Sequence, residues 1–139
     1  MELNEYQKRA MSTCMPSCEN MSYMLLNLVG EVGEFASKIA KAIRKGQASI
    51  GLDPVEAKEY EGEDVANDLF IRFDTDESRN NALDELKKEA GDILWQLSGL
   101  CTVMRWSLED VAQTNLDKLA ARKAAGTIDG NGDGIIREK

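Results

Sequence analysis

Residues 25–43, LLNLVGEVGEFASKIAKAI, place apolar side chains at Leu25, Leu28, Val32, Phe35, Ile39 and Ala42 or Ile43. Steps alternating between three and four keep one face of an α-helix apolar. The spacing predicts a helix from about Ser22 to Lys45, closed by Gly46. Further on, Leu83, Leu86, Ala90, Ile93, Leu97, Leu100 and Met104 form a second such column. It predicts a helix from about Asn81 to Arg105. Trp95 and Cys101 lie off that column, which points to burial on two sides, as at a subunit interface.

Shorter helices flank this pair. Asn4 with Gln7 reads as a capping box opening a helix to about Ser12, and Thr13 to Asn20 as a turn or loop. Ser107 with Asp110 reads as a second capping box, for a helix from Leu108 to about Ala125 ended by Gly126. Gln47 to Asn80 is acidic and contains Gly51, Pro54 and Gly62. Its one alternating piece, Leu69 to Phe73, fits a short strand and a helical turn equally. The expected architecture is all-α, with four helices packed as antiparallel neighbours in a bundle-like arrangement. One domain spans residues 1–139, with a long irregular connection at about 47–80 and a flexible tail at about 127–139.

The 139 residues are 42% hydrophobic and 30% charged, which is a globular composition. No apolar run reaches the roughly 18 residues of a membrane span, and the N-terminus lacks the pattern of a signal peptide. The expected location is the cytoplasm. Twenty-five acidic and 17 basic side chains give a net charge of −8, which argues against binding a nucleic-acid backbone. Histidine is absent, which removes His general bases, Ser-His and Cys-His pairs and His-ligated zinc. Three cysteines make no disulfide framework and read as reduced and structural. Carboxylates, a few basic groups and any metal they hold remain for chemistry.

The two long helices repeat one small design. The first contains Glu31-Val32-Gly33-Glu34 and the second Glu89-Ala90-Gly91-Asp92. An i,i+3 spacing puts both acids of each turn on one side of its helix, roughly 60° apart. Measured from Leu28 and from Leu86, the two pairs fall at the same angles, on the flank of each apolar stripe. If the stripes pack together, Glu31, Glu34, Glu89 and Asp92 converge. Four such charges demand a cation or raised pKa values. A hard divalent ion with oxygen ligands fits, Mg²⁺ best, with Mn²⁺ able to stand in for it. Gly30, Gly33 and Gly91 beside the acids point to close backbone approach or to room for a ligand. The plainer alternative makes Glu34 and Lys38, at i,i+4, a surface ion pair.

The last helix adds amide and basic groups. Asn115 falls within the apolar direction of Ala112, Leu116 and Leu119, with Lys118 and Arg122 flanking it. Either Asn115 makes a hydrogen bond between helices, or Asn115, Lys118 and Arg122 face the acids and hold phosphate oxygens. Tyr23, Phe35 and Trp95 are candidates for stacking on a base, with core or interface roles as the alternative.

The phrases LLNLVGEVGEFASKIAK, KKEAGDILWQLSGL and SLEDVAQTNLDKLAARKAAG, in that order, resemble MazG-type all-α nucleoside triphosphate pyrophosphohydrolases. The opening NEYQKRAM and closing GTIDGNGD are similar to members of that family as well. The resemblance implies a MazG-type fold completed by oligomerisation into a homodimer or homotetramer. It implies hydrolysis of a nucleoside or deoxynucleoside triphosphate to the monophosphate and pyrophosphate. Glu31, Glu34, Glu89 and Asp92 match the family's metal-binding acids, and Asn115 and Lys118 its substrate contacts. Two departures stand out: Gly30 occupies a position where many members carry a further Glu, and the segment between the acidic motifs is longer. Physically, metal ions would reverse the repulsion between carboxylates and phosphates. Glu34, with Glu31 beside it, would orient and deprotonate the attacking water, and Lys118 would neutralise the leaving pyrophosphate.

Two rivals remain at this level. Asp129 to Ile136, DGNGDGII, matches the first eight positions of an EF-hand loop but ends before the position-12 glutamate, which disfavours a calcium-binding module. A non-enzymatic helical interaction protein would account for the apolar helix and the charge, but not for the duplicated acidic turns.

Overall fold

Four helices account for most of the described chain. The computed structural model describes residues 1–50 and 71–128. They form α1 (Leu3–Met11), a single 3₁₀ turn at Pro16–Cys18, α2 (Met21–Arg44), β1 (Ala48–Ile50), β2 (Ile71–Phe73), α3 (Asp76–Val103) and α4 (Leu108–Ala124). The protein is all-α, with one two-stranded antiparallel ribbon among the described residues, which pairs Ala48 with Phe73, Ser49 with Arg72 and Ile50 with Ile71. The middle of the long connection, with Gly51, Pro54, Gly62, Leu69 and Phe70, lies outside the described residues, as does the EF-hand-like stretch from Asp129. The ends of that connection are therefore not irregular: they pair as strands. No helix among the described residues is long and apolar enough to cross a membrane.

The helix boundaries have local causes. Asn20 opens α2 by accepting the Tyr23 amide at 2.8 Å. Thr75 opens α3 by accepting the Ser78 amide at 3.0 Å, with Asp76 and Glu77 complementing the positive end of the helix. This helix starts five residues before Asn81, because its first turn is polar and shows no apolar period. Ser107 caps α4 through the Asp110 amide at 3.0 Å, as its spacing predicts. Helices α2, α3 and α4 all close with the same pair of reversed bonds. In α2 these run from Gly46 N to Ile43 O and from Gln47 N to Ala42 O. Gly46 and Gly126 supply the left-handed residue for α2 and α4, while α3 uses Arg105 at φ 60°.

The Asn4–Gln7 pair does not cap α1; Glu2 precedes that helix without a side-chain bond. Gln7 instead accepts the Leu108 amide at 2.7 Å and donates to Trp106 O at 2.9 Å and Thr102 Oγ1 at 3.0 Å. Asn4 Oδ1 accepts the Glu109 amide at 3.2 Å. A residue pattern that caps locally is used here to satisfy the free N–H groups of α4.

The described chain divides into two compact units, residues 1–24 with 97–139, and residues 25–96. The first buries Ala10, Met24, Ser98, Cys101 and Leu108. Met24 covers Gly99 so closely that a Cβ there would lie 2.6 Å from the Met24 methyl. The three cysteines are free, and burial pushes the Cys101 thiol up.

The second unit is thinly covered. Ala42, Ala48 and Gln96 are buried, whereas Leu28, Phe35, Ile39, Leu86 and Ile93 are half-buried. Along α2, Leu25, Leu26, Val29 and Val32 are exposed, Leu26 by 73%. Of the two residues off the α3 column, Cys101 is enclosed within its own chain and Trp95 is half-buried.

Candidate metal centre

Glu31 from α2 and Glu89 and Asp92 from α3 each offer a carboxylate oxygen, and these oxygens lie within 4.8 Å of one another. Glu31 and Glu89 are half-buried and Asp92 is exposed. At that separation each pair of anions repels by about 1–3 kcal/mol, between the limits of water and a near-surface dielectric. Glu31 registers the crowding. Burial, then Asp92 and Glu89, and more weakly Glu34, push its carboxyl above the usual carboxylate range. One group opposes this: Asn27, one turn earlier on α2, donates to Glu31 Oε1 at 3.3 Å.

A lysine holds the other side. Lys38 Nζ stands 3.3 Å from Glu89 Oε1 and 3.9 Å from Glu85 Oε2. The i,i+4 alternative for Lys38 and Glu34 is not what forms; Lys38 reaches from α2 to α3 instead. Glu34 is exposed and is not in the group of three.

Two of the three glycines beside the acids face open space; a Cβ on the third, Gly30, would make an ordinary contact with Asn27 Oδ1 at 3.6 Å. A Cβ on Gly33 or Gly91 would meet nothing within 4 Å, so tight helix packing does not require either of them. Close approach occurs instead at Gly99, which the acidic pattern does not single out.

The remaining candidates are placed as follows. Asn115 and Lys118 are exposed on α4, Arg122 is half-buried there, and Trp95 is half-buried on α3. Leu116 and Leu119 are exposed too, so the apolar direction holding Asn115 is not a buried face of the described chain. Tyr23 and Phe35 are half-buried on α2.

Sequence reasoning overlooked two polar groups and gave Lys38 a different partner. Asn27 is one of the two, signalled only by its position four residues before Glu31. The other is Gln96, on the same side of α3 as Glu89 and Asp92 by helical spacing. It is 3% exposed and its Oε1 has no hydrogen-bond partner.

Oxygen-only donors from three acids, with one carboxyl held above its ordinary range by its neighbours, fit a hard divalent cation. They do not fit zinc or a soft metal, which favour nitrogen and sulfur. The profile of the MazG nucleotide pyrophosphohydrolase domain matches residues 19–126, and the chain belongs to that family. It is also similar to the Gene 37 protein of Mycobacterium phage L5, with 31% identity over 140 residues that span 96% of this chain and 98% of that one. No solved structure matches it.

Proposed function

We propose that the protein hydrolyses nucleoside or deoxynucleoside triphosphates to the monophosphate and pyrophosphate, dependent on Mg²⁺ or, in its place, Mn²⁺. The observation that carries this reading is the meeting of Glu31, Glu89 and Asp92 from two helices, in a chain of the MazG family. These three would hold the cation. When bound, it supplies charge neutralisation for phosphate oxygens and polarises the attacked phosphorus.

The chain's own groups do the rest. Glu34 stands outside the group of three, exposed and one helical turn from Glu31. It is the carboxylate left to orient the attacking water and accept its proton at a side-chain oxygen. Asn27 fixes the rotamer of Glu31 through its 3.3 Å bond. Asn115, Lys118 and Arg122 on α4 would contact phosphate oxygens, with Lys118 neutralising the leaving pyrophosphate. Trp95 is the candidate for contact with the nucleoside.

The bare face of α2 supports self-association. Leu25, Leu26, Val29 and Val32 are a helical stripe of the kind one domain rarely leaves in water. A second copy of the chain would cover it and complete the bundle as a homodimer or homotetramer. The protein would then work in the cytoplasm, where nucleotides and Mg²⁺ are available.

The test is pyrophosphate release from a panel of ribo- and deoxyribonucleoside triphosphates with and without Mg²⁺. Release only with Mg²⁺, lost in Glu34→Gln and Asp92→Asn, is expected. Equal turnover in the wild type and both variants would overturn the site.

A further inference from the structure

Lys38 belongs to two neighbourhoods. On one side it pairs with Glu89 at 3.3 Å. On the other it lines a cavity of about 290 Å³, together with Lys41, Lys45, Ser78, Asn81 and Glu85. The chain as a whole is strongly acidic, yet here three ammonium groups face one carboxylate.

That carboxylate is shared between Lys88, Lys38 at 3.9 Å and Lys41 nearby, and cannot neutralise them all. Glu85 Oε1 takes a 2.8 Å bond from Lys88, and this pairing first, then the charges of Lys38 and Lys41, hold the Glu85 carboxyl below its ordinary range. Among the described residues, neither Lys41 nor Lys45 has a carboxylate within ion-pair distance. Positions 38, 41 and 45 follow the i,i+3,i+7 pattern, so all three lysines share one face of α2 and repel one another unless an anion lies between them. Opposite them stands Ser78, whose Oγ accepts the Thr75 hydroxyl at 3.0 Å and keeps its own proton to donate. Asn81 adds an amide. A wall of N–H and O–H donors with excess positive charge is the chemistry that recognises a tetrahedral oxyanion. The volume equals roughly ten waters, which is ample for a phosphate or a pyrophosphate.

We propose that this cavity binds a phosphate-class oxyanion, and that Lys38 links its occupancy to the carboxylate group through Glu89. An anion in the cavity draws the Lys38 ammonium off Glu89 and leaves that carboxylate available to a cation. A cation at Glu89 pushes Lys38 toward the cavity. The linkage is reciprocal by thermodynamic necessity. Only the linkage rests on the metal role proposed for Glu31, Glu89 and Asp92; the anion site does not.

The experiment is a ³¹P NMR titration of the full chain in EDTA, with inorganic phosphate in one arm and pyrophosphate in the other. Saturable binding is expected, weakened roughly tenfold or more in Lys41→Gln/Lys45→Gln. Both lysines are exposed, so the double variant keeps the fold, and its helical circular dichroism serves as the check. Tighter pyrophosphate assigns the cavity to a polyphosphate group, and equal affinities to a single phosphate. Absence of saturable binding, or equal binding in the double variant, overturns the site. A second titration, of Mg²⁺ with and without phosphate, reads the linkage: tightening in the wild type but not in Lys38→Met is expected, and no tightening overturns it. A protein that binds phosphate through these lysines yet hydrolyses no triphosphate refutes the proposed reaction and leaves the cavity assignment standing.

Discussion

The Gln7 side chain caps helix α4: its Oε1 accepts the Leu108 amide at 2.7 Å, across a sequence separation of 101 residues. Its Nε2 makes two further bonds, to Thr102 Oγ1 and Trp106 O. Gln7→Leu leaves the Leu108 amide and the Trp106 carbonyl without these partners. The expected loss is about 1–3 kcal/mol of stability, read as a lower urea midpoint. Gln7→Glu, which keeps the acceptor, should recover part of it. A midpoint unchanged in Gln7→Leu would show that water replaces these bonds without cost.

Met24 has no solvent exposure and lies against Gly99. Gly99→Ala should therefore cost about 1–3 kcal/mol by overpacking. Shortening the neighbour relieves the clash, so Gly99→Ala/Met24→Val should melt higher than Gly99→Ala alone. Additive losses in the double variant would mean the two sites are independent.

Glu31 makes stability depend on pH in a definite sense. Its folded carboxyl titrates above the unfolded value, so the protonated form is favoured by folding. That contribution is present in full below the unfolded value, about pH 4.5, and is lost as pH rises through the higher folded value. In metal-free buffer, Glu31→Gln should thus be more stable than the wild type near pH 7, with the gap closing below about pH 4.5. Thermal melts at the two pH values in EDTA measure it. A wild type that is the more stable at pH 7 would contradict the assignment.

A bound divalent cation relieves the same repulsion. Mg²⁺ should raise the melting temperature, by the equivalent of about 2.7 kcal/mol at one hundred times its dissociation constant. EDTA should reverse the gain. Asp92→Asn should need at least the roughly tenfold higher Mg²⁺ that loss of even an outer partner of a metal ligand demands. An equal response in the variant would place the ion elsewhere.

The helices were legible because each buries part of one stripe, and a 3.6-residue period leaves a readable column. The glycine closures at Gly46 and Gly126 were legible for the same local reason. Arg105 closes α3 in the same geometry without a glycine to announce it. Strands of three residues are too short for alternation to stand out, and their pairing joins Ala48 to Phe73 across a long stretch of chain. Asn4 and Gln7 spell a local cap, but their partners lie a hundred residues away, which no neighbouring pattern reveals. At the acidic centre, spacing alone brought out Glu31, Glu89 and Asp92. It could not tell that Glu34 stands apart from them, or that Lys38 would choose Glu89, because both depend on how α2 faces α3.

The cap on α4 also orders events at synthesis. The unit that holds Gln7 is built from both ends of the chain, residues 1–24 and 97–139. At roughly 5–20 residues per second, α1 leaves the ribosome several seconds or more before Leu108 exists. During that interval it has no α4 to dock on. The stitch between Gln7 and Leu108 is therefore a late closure, and α1 stays undocked, open to proteases and chaperones, until Leu108 has emerged.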